Sequence, residues 1–60
     1  MMNADIRKQI FENELTHKEV AAAAGITPEH LSRLLAHELT EANRERILGA
    51  IRQAEQSRTA

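Results

Sequence analysis

Two helix-start signals stand 11 residues apart, Thr16 and Thr27, and the chain between them has little freedom in how it folds. Thr16 is a side-chain N-cap, with Glu19 three residues on to close a capping box and Leu15 placed to staple against Val20. Thr27 is a second N-cap, with Pro28 at the first helical position, where its missing N–H costs nothing, and Ile26 placed to staple against Leu31. Gly25 supplies the left-handed backbone that ends the first of these helices. Only Gly25, Ile26 and Thr27 remain to turn the chain.

The rest of the chain reads as helix on either side of this pair. Proline occurs once and glycine twice, strand-favouring alternation is missing, and Ala, Leu, Glu, Arg and Lys dominate, which predicts an all-α domain of four helices, or at most five. A helix is predicted from about Ala4 to Asn13, starting near Asn3 or Asp5, with Ile6, Ile10 and Phe11 on one apolar face and Phe11, the sole aromatic ring, at the centre of the core. Another is predicted from Thr40, with Glu41 and Glu45 near the positive end of its dipole, to about Ala54. Ile47, Leu48, Ile51 and Ala54 fall on one side of it. Gly49 inside it marks either the close approach of another backbone or a local loss of stability on the order of 1 kcal/mol relative to alanine. Gln56 to Ala60 reads as a polar, frayed tail.

Length and charge bound the function. Sixty residues make one domain, 1–60, near the lower limit at which a core alone holds a fold. With no cysteine there is no disulfide framework and no thiolate zinc site, which suits a cytoplasmic setting. The longest apolar run, around Val20 to Ala24, is far short of the roughly 20 residues that span a bilayer, and Met1 to Arg7 holds no signal-type stretch. A formal charge of −1 runs against the basic excess common in nucleic-acid binders. Any DNA contact therefore rests on a local cluster around Lys18, Arg33 and Arg44, with a modest salt slope for each protomer.

From His17 to Leu35 the sequence reads HKEVAAAAGITPEHLSRLL, a helix-turn-helix spanning about 17–36. Ala21 is small enough to let two helices approach, and Val20, Ala24, Ile26, Leu31 and Leu34 fill the interior between them. The Ala-three-residues-Gly-Ile-Thr pattern followed by Leu-Ser-Arg-Leu resembles the helix-turn-helix of the Cro/cI-type (XRE-like, lambda-repressor-like) phage and bacterial regulators. The resemblance is strong over the two motif helices and looser over the first helix and the segment LTEANRERILGAI. It implies a compact lambda-repressor-like domain with a central helix-turn-helix. It also implies a small transcriptional regulator, foremost a repressor, that binds operator DNA as a homodimer, at least on the DNA, where the free protein is either a dimer or a monomer; no cofactor or small-molecule ligand is implied.

The third helix has a face left over for such a partner. At about 100° per residue, Leu31, Leu34 and Leu35 point one way and Glu29, Ser32, Arg33 and Ala36 cluster opposite. Arg33 suits a bidentate contact to guanine or an anchor on phosphate, Ser32 donates or accepts, and Glu29 accepts from a cytosine amine. Thr27 and Pro28 sit nearest the groove floor or a thymine methyl. His17 and Lys18, where the dipole and free N–H groups favour an anion, are the candidate phosphate contacts on one edge, and His37, Asn43 and Arg44 on the other.

Other functions fit less well. His30 and His37 share a helical side but lie about 10.5 Å apart along an ideal helix, too far to share one zinc. Ser32 has no histidine at the three- or four-residue spacing that would set a base beside it, and so small a unit offers little room for a water-excluding pocket, so no enzyme is expected. One aromatic ring, needed for the core, leaves no stacking platform for unpaired RNA bases. The competing function is a protein-interaction module, antirepressor-like or antitoxin-like, built on the same scaffold.

Overall fold

Four helices form where their unpaired end groups find partners. The structure, a computed structural model, describes residues 2–59 and the side chains through Ser57. Helix α1 spans Ala4–Glu12, α2 His17–Ala24, α3 Pro28–Leu35 and α4 Glu41–Thr59, with no strand among the described residues. At the start of α2, Thr16 Oγ1 accepts from the Glu19 N–H at 3.2 Å and a Glu19 carboxylate oxygen accepts from the Thr16 N–H at 3.0 Å, the capping box expected. Thr27 Oγ1 accepts from the His30 N–H at 3.1 Å and Thr40 Oγ1 from the Asn43 N–H at 3.2 Å. Each threonine thus satisfies one orphan donor at a helix start.

Two helix ends share one device. After α2, Gly25 takes φ +76°, the Ile26 N–H donates to Ala21 O at 3.0 Å and the Gly25 N–H to Ala22 O at 3.2 Å. After α1 the same pair of bonds recurs, Leu15 N–H to Ile10 O and Glu14 N–H to Phe11 O, both at 3.0 Å. There the left-handed position is held by Glu14 at φ 56°, which lacks glycine's freedom. The turn folds Leu15 back so that it joins Ile10 in the core.

The core is aliphatic. Ile6, Ile10, Leu15, Val20, Ala21, Leu31, Leu35, Ile47, Ala50, Ile51 and Ala54 are buried together, with Ala24, Ile26, Leu34, Leu39 and Leu48 packed half-buried against them. Helix α2 packs on α4 and α3, and α1 on α4. No polar side chain is buried among the described residues. The radius of gyration, 10.4 Å, matches the value of about 10 Å for a folded chain of this length. No helix among the described residues is long and apolar enough to cross a membrane.

Three expectations need correction. Phe11 is not the centre of the core but 82% exposed. The buried stripe of α1 is the narrow line of Ile6 and Ile10, and a residue one step beyond Ile10 turns about 100° away from it. On α4 the buried line runs through Ile47, Ala50, Ile51 and Ala54, leaving Leu48 at its margin. That helix also continues to Thr59, so 56–59 is not a tail, and Ala60 lies outside the described residues. No glycine or proline follows Gly49, and extending a helix already nucleated costs little.

The two glycines have opposite roles. A Cβ built on either meets nothing within 4 Å, so the close approach considered for Gly49 is absent. Gly49 is ordinary helix interior, whereas Gly25 needs its left-handed backbone. Gly49→Ala is expected to raise unfolding free energy by about 0.5–1 kcal/mol, and Gly25→Ala to lower it by about 1–2 kcal/mol. Urea denaturation midpoints at constant slope check both, and a destabilised Gly49→Ala would contradict the open surroundings described here.

Candidate nucleic-acid interface

The outer side of α3 is set by what its inner side packs against. Leu31 and Leu35 are fully buried and Leu34 half-buried, so the helix cannot rotate without exposing leucine. Thr27, Glu29, Ser32, Arg33 and Ala36 are exposed, and Pro28 is half-buried at the turn. His30, absent from the sequence-derived set, is also exposed beside Arg33. The helical wheel alone places it there, about 60° from Arg33.

The fold adds a neighbour that spacing within one helix does not reveal. His17, half-buried at the first position of α2, brings Nδ1 to 3.5 Å from Ser32 Oγ across the turn. The distance is at the outer limit of a hydrogen bond, and the pair is exposed. It joins the start of α2 to the outer side of α3. Lys18 beside it is exposed. The positive end of α2 carries its own carboxylate, since Glu19 folds back onto the Thr16 N–H and hydroxyl. A phosphate arriving there meets that charge as well as the dipole.

The far end of α3 is fastened from the beginning of the chain. Asn3, in the left-handed region at φ 57°, makes no side-chain cap to its own helix. Its Nδ2 donates instead to Leu35 O at 3.0 Å and His37 O at 2.8 Å. The Arg7 guanidinium adds a bond to Leu35 O at 3.3 Å. The Leu35 carbonyl at the end of α3 is thus taken up by α1 and the residue before it, while the Ser32, Arg33 and Leu34 carbonyls accept from the N–H groups of Ala36 and His37. In the same way Arg46 donates to Ala24 O at 3.0 Å and closes the end of α2.

The second group of expected phosphate contacts is less coherent. His37 is exposed, with its carbonyl committed to Asn3, while Asn43 and Arg44 are half-buried in the first turn of α4. Arg44 forms an ion pair with Asp5 of α1. Of the basic residues expected at the interface, Lys18 and Arg33 stand exposed and Arg44 is engaged within the chain. No cluster of three or more possible metal ligands occurs among the described residues.

Comparison with protein-family models, with curated proteins and with solved structures finds no match to this chain.

The Asp5–Arg44 pair ties α1 to α4 and carries a pH signature. The hydrogen bond from Arg44, aided by the guanidinium's charge, holds the Asp5 carboxyl below its ordinary value of 3.8. The same partnership raises Arg44 above its ordinary value. Because the folded-state pKa of Asp5 is depressed, its contribution to stability is present above the unfolded-chain value and is lost as pH falls through the folded one. Asp5→Asn is expected to lower the melting temperature by about a few degrees at most near pH 7, since both side chains are partly exposed. The gap from the parent closes as pH falls below the ordinary carboxylate value and Asp5 becomes protonated in the folded chain. A gap independent of pH, measured by calorimetry, would trace the effect to something other than this pair.

Proposed function

We propose that the chain binds double-stranded DNA by laying α3 in the major groove and acts as a small transcriptional regulator of Cro/cI type, foremost a repressor working by occupancy. The observation that carries this is the division of α3 into a leucine side fixed in the core and an outer side of Thr27, Glu29, Ser32 and Arg33 exposed to solvent. A helix following a three-residue turn and held at both ends suits groove insertion, because base readout requires side chains on a rigid, protruding element. Arg33 is the reader of guanine or the phosphate anchor, Ser32 the adaptable hydroxyl, and Lys18 and His17 the edge that meets the backbone. In this reading two copies act together, with their α3 helices about 34 Å apart on one face of the duplex.

Charge favours the rival, a protein-interaction module on the same helices. Arg44 is neutralised by Asp5, and Arg7 and Arg46 have donors committed to helix-end carbonyls, so the DNA reading rests on Lys18 and Arg33 as its exposed basic side chains. Selection of duplexes from a random pool at about 0.15 M salt, followed by anisotropy titration, separates the two readings. Arg33→Ala is expected to weaken the selected duplex by about 10- to 100-fold, and Lys18→Ala to reduce the slope of log affinity against log salt by about 1. If no preferred sequence emerges, or Arg33→Ala and Ser32→Ala leave affinity and salt slope unchanged, the DNA reading of this face is wrong.

A further inference from the structure

We propose that two copies of this chain associate through antiparallel pairing of their α1 helices, with the two Phe11 rings in contact near a two-fold axis and Lys8 of each copy paired with Glu12 of the other. The starting point is Phe11, the only aromatic residue, which stands 82% exposed on α1. A phenyl ring left in water forgoes one of the larger burial gains open to any side chain, and exposed aromatics of this kind are enriched at interfaces.

Its surroundings on the helix select a second copy as the partner. At about 100° per residue, Ala4, Lys8 and Phe11 fall on one stripe, turned away from Ile6 and Ile10. All three are exposed, so no described part of the same chain covers the stripe. Ala4 is small and Lys8 offers an apolar stem, which lets another helix lie close. Glu12 flanks the stripe on the side toward which Lys8 leans. Both charges are exposed, and neither is in an ion pair among the described residues. Lysine preceding glutamate by four residues is also the poorer order for a bond within one helix.

Antiparallel pairing places like flanks together. With the axis passing midway between Lys8 and Glu12, each Lys8 comes level with the opposite Glu12, giving two equivalent ion pairs. Phe11 then lies one residue from the axis, and the two rings are offset along the helices by about 3 Å, a shift suited to offset stacking. The contact is isologous and therefore closes at two copies. Because α1 has nine residues, about 13 Å of helix, the area is well below the roughly 800 Å² per partner of a stable interface, and the dimer is weak. None of these residues belongs to the proposed DNA face, so each reading can fail without the other.

Sedimentation equilibrium of the full chain from about 10 μM to about 1 mM, at low salt to limit screening, tests this. The mass is expected to rise toward twice that of the monomer. Phe11→Ala is expected to weaken association at least about tenfold, and Lys8→Glu to weaken it by setting like charges opposite each other. The double variant Lys8→Glu with Glu12→Lys restores both pairs and returns association to within about threefold of the parent. Thermal melts verify that the variants, all at exposed positions, stay folded. A chain monomeric up to about 1 mM, leaving Phe11 to a partner of other chemistry, overturns the proposal. So does association indifferent to Phe11→Ala, or a double variant no better than Lys8→Glu alone.

Discussion

The left-handed backbone at Gly25 is the constraint on which the rest of this fold depends. With three residues between α2 and α3, the direction of α3 is decided by the two bonds that close the end of α2, Ile26 N–H to Ala21 O and Gly25 N–H to Ala22 O. Once that direction is set, Leu31 and Leu35 meet Val20 and Ala21 in one cluster. The long α4, 19 residues and about 28 Å by its rise per residue, then packs against both α2 and α1. In so small a core, helix ends matter as much as side-chain packing, because each unpaired backbone group is a large fraction of a narrow stability margin.

Local signals were legible in the sequence and distant ones were not. Thr16 with Glu19, Thr27 with Pro28, and Thr40 mark helix starts because their chemistry is complete within three residues, and all three caps form. The two sides of α3 followed from spacing alone. Phe11 was misplaced because a hydrophobic residue near an apolar line is assigned to it by type, whereas a residue one step past Ile10 is rotated out of the stripe. The close of α1 at Glu14 gave no signal, since a glutamate seldom takes a left-handed backbone.

The candidate site was legible as a face and illegible as a neighbourhood. Exposure of Glu29, Ser32 and Arg33 is a property of one helix. The approach of His17 to Ser32, the loss of Arg44 to Asp5 and the bonds from Asn3 to Leu35 and His37 cross 15, 39, 32 and 34 residues. No periodicity encodes such contacts. They change the electrostatic picture: of the eight basic residues Arg44 is neutralised by Asp5, while Arg7 and Arg46 keep their charge but have N–H donors committed to helix-end carbonyls.

The fastening of α3 by Asn3 and Arg7 bears on what can be transplanted. A segment cut at 17–36 carries the turn, the Thr27 N-cap and every residue of the outer face, yet it loses the Thr16 cap of α2 and leaves the Leu35 carbonyl without the donors that complete its last turn. It also leaves Leu31 and Leu35 without the α1 and α4 members of their cluster. Grafted into another protein, that stretch would keep its letters and lose its shape. The unit of inheritance is the whole four-helix domain, with Asn3 and Arg7 acting as the clasp on the far end of α3.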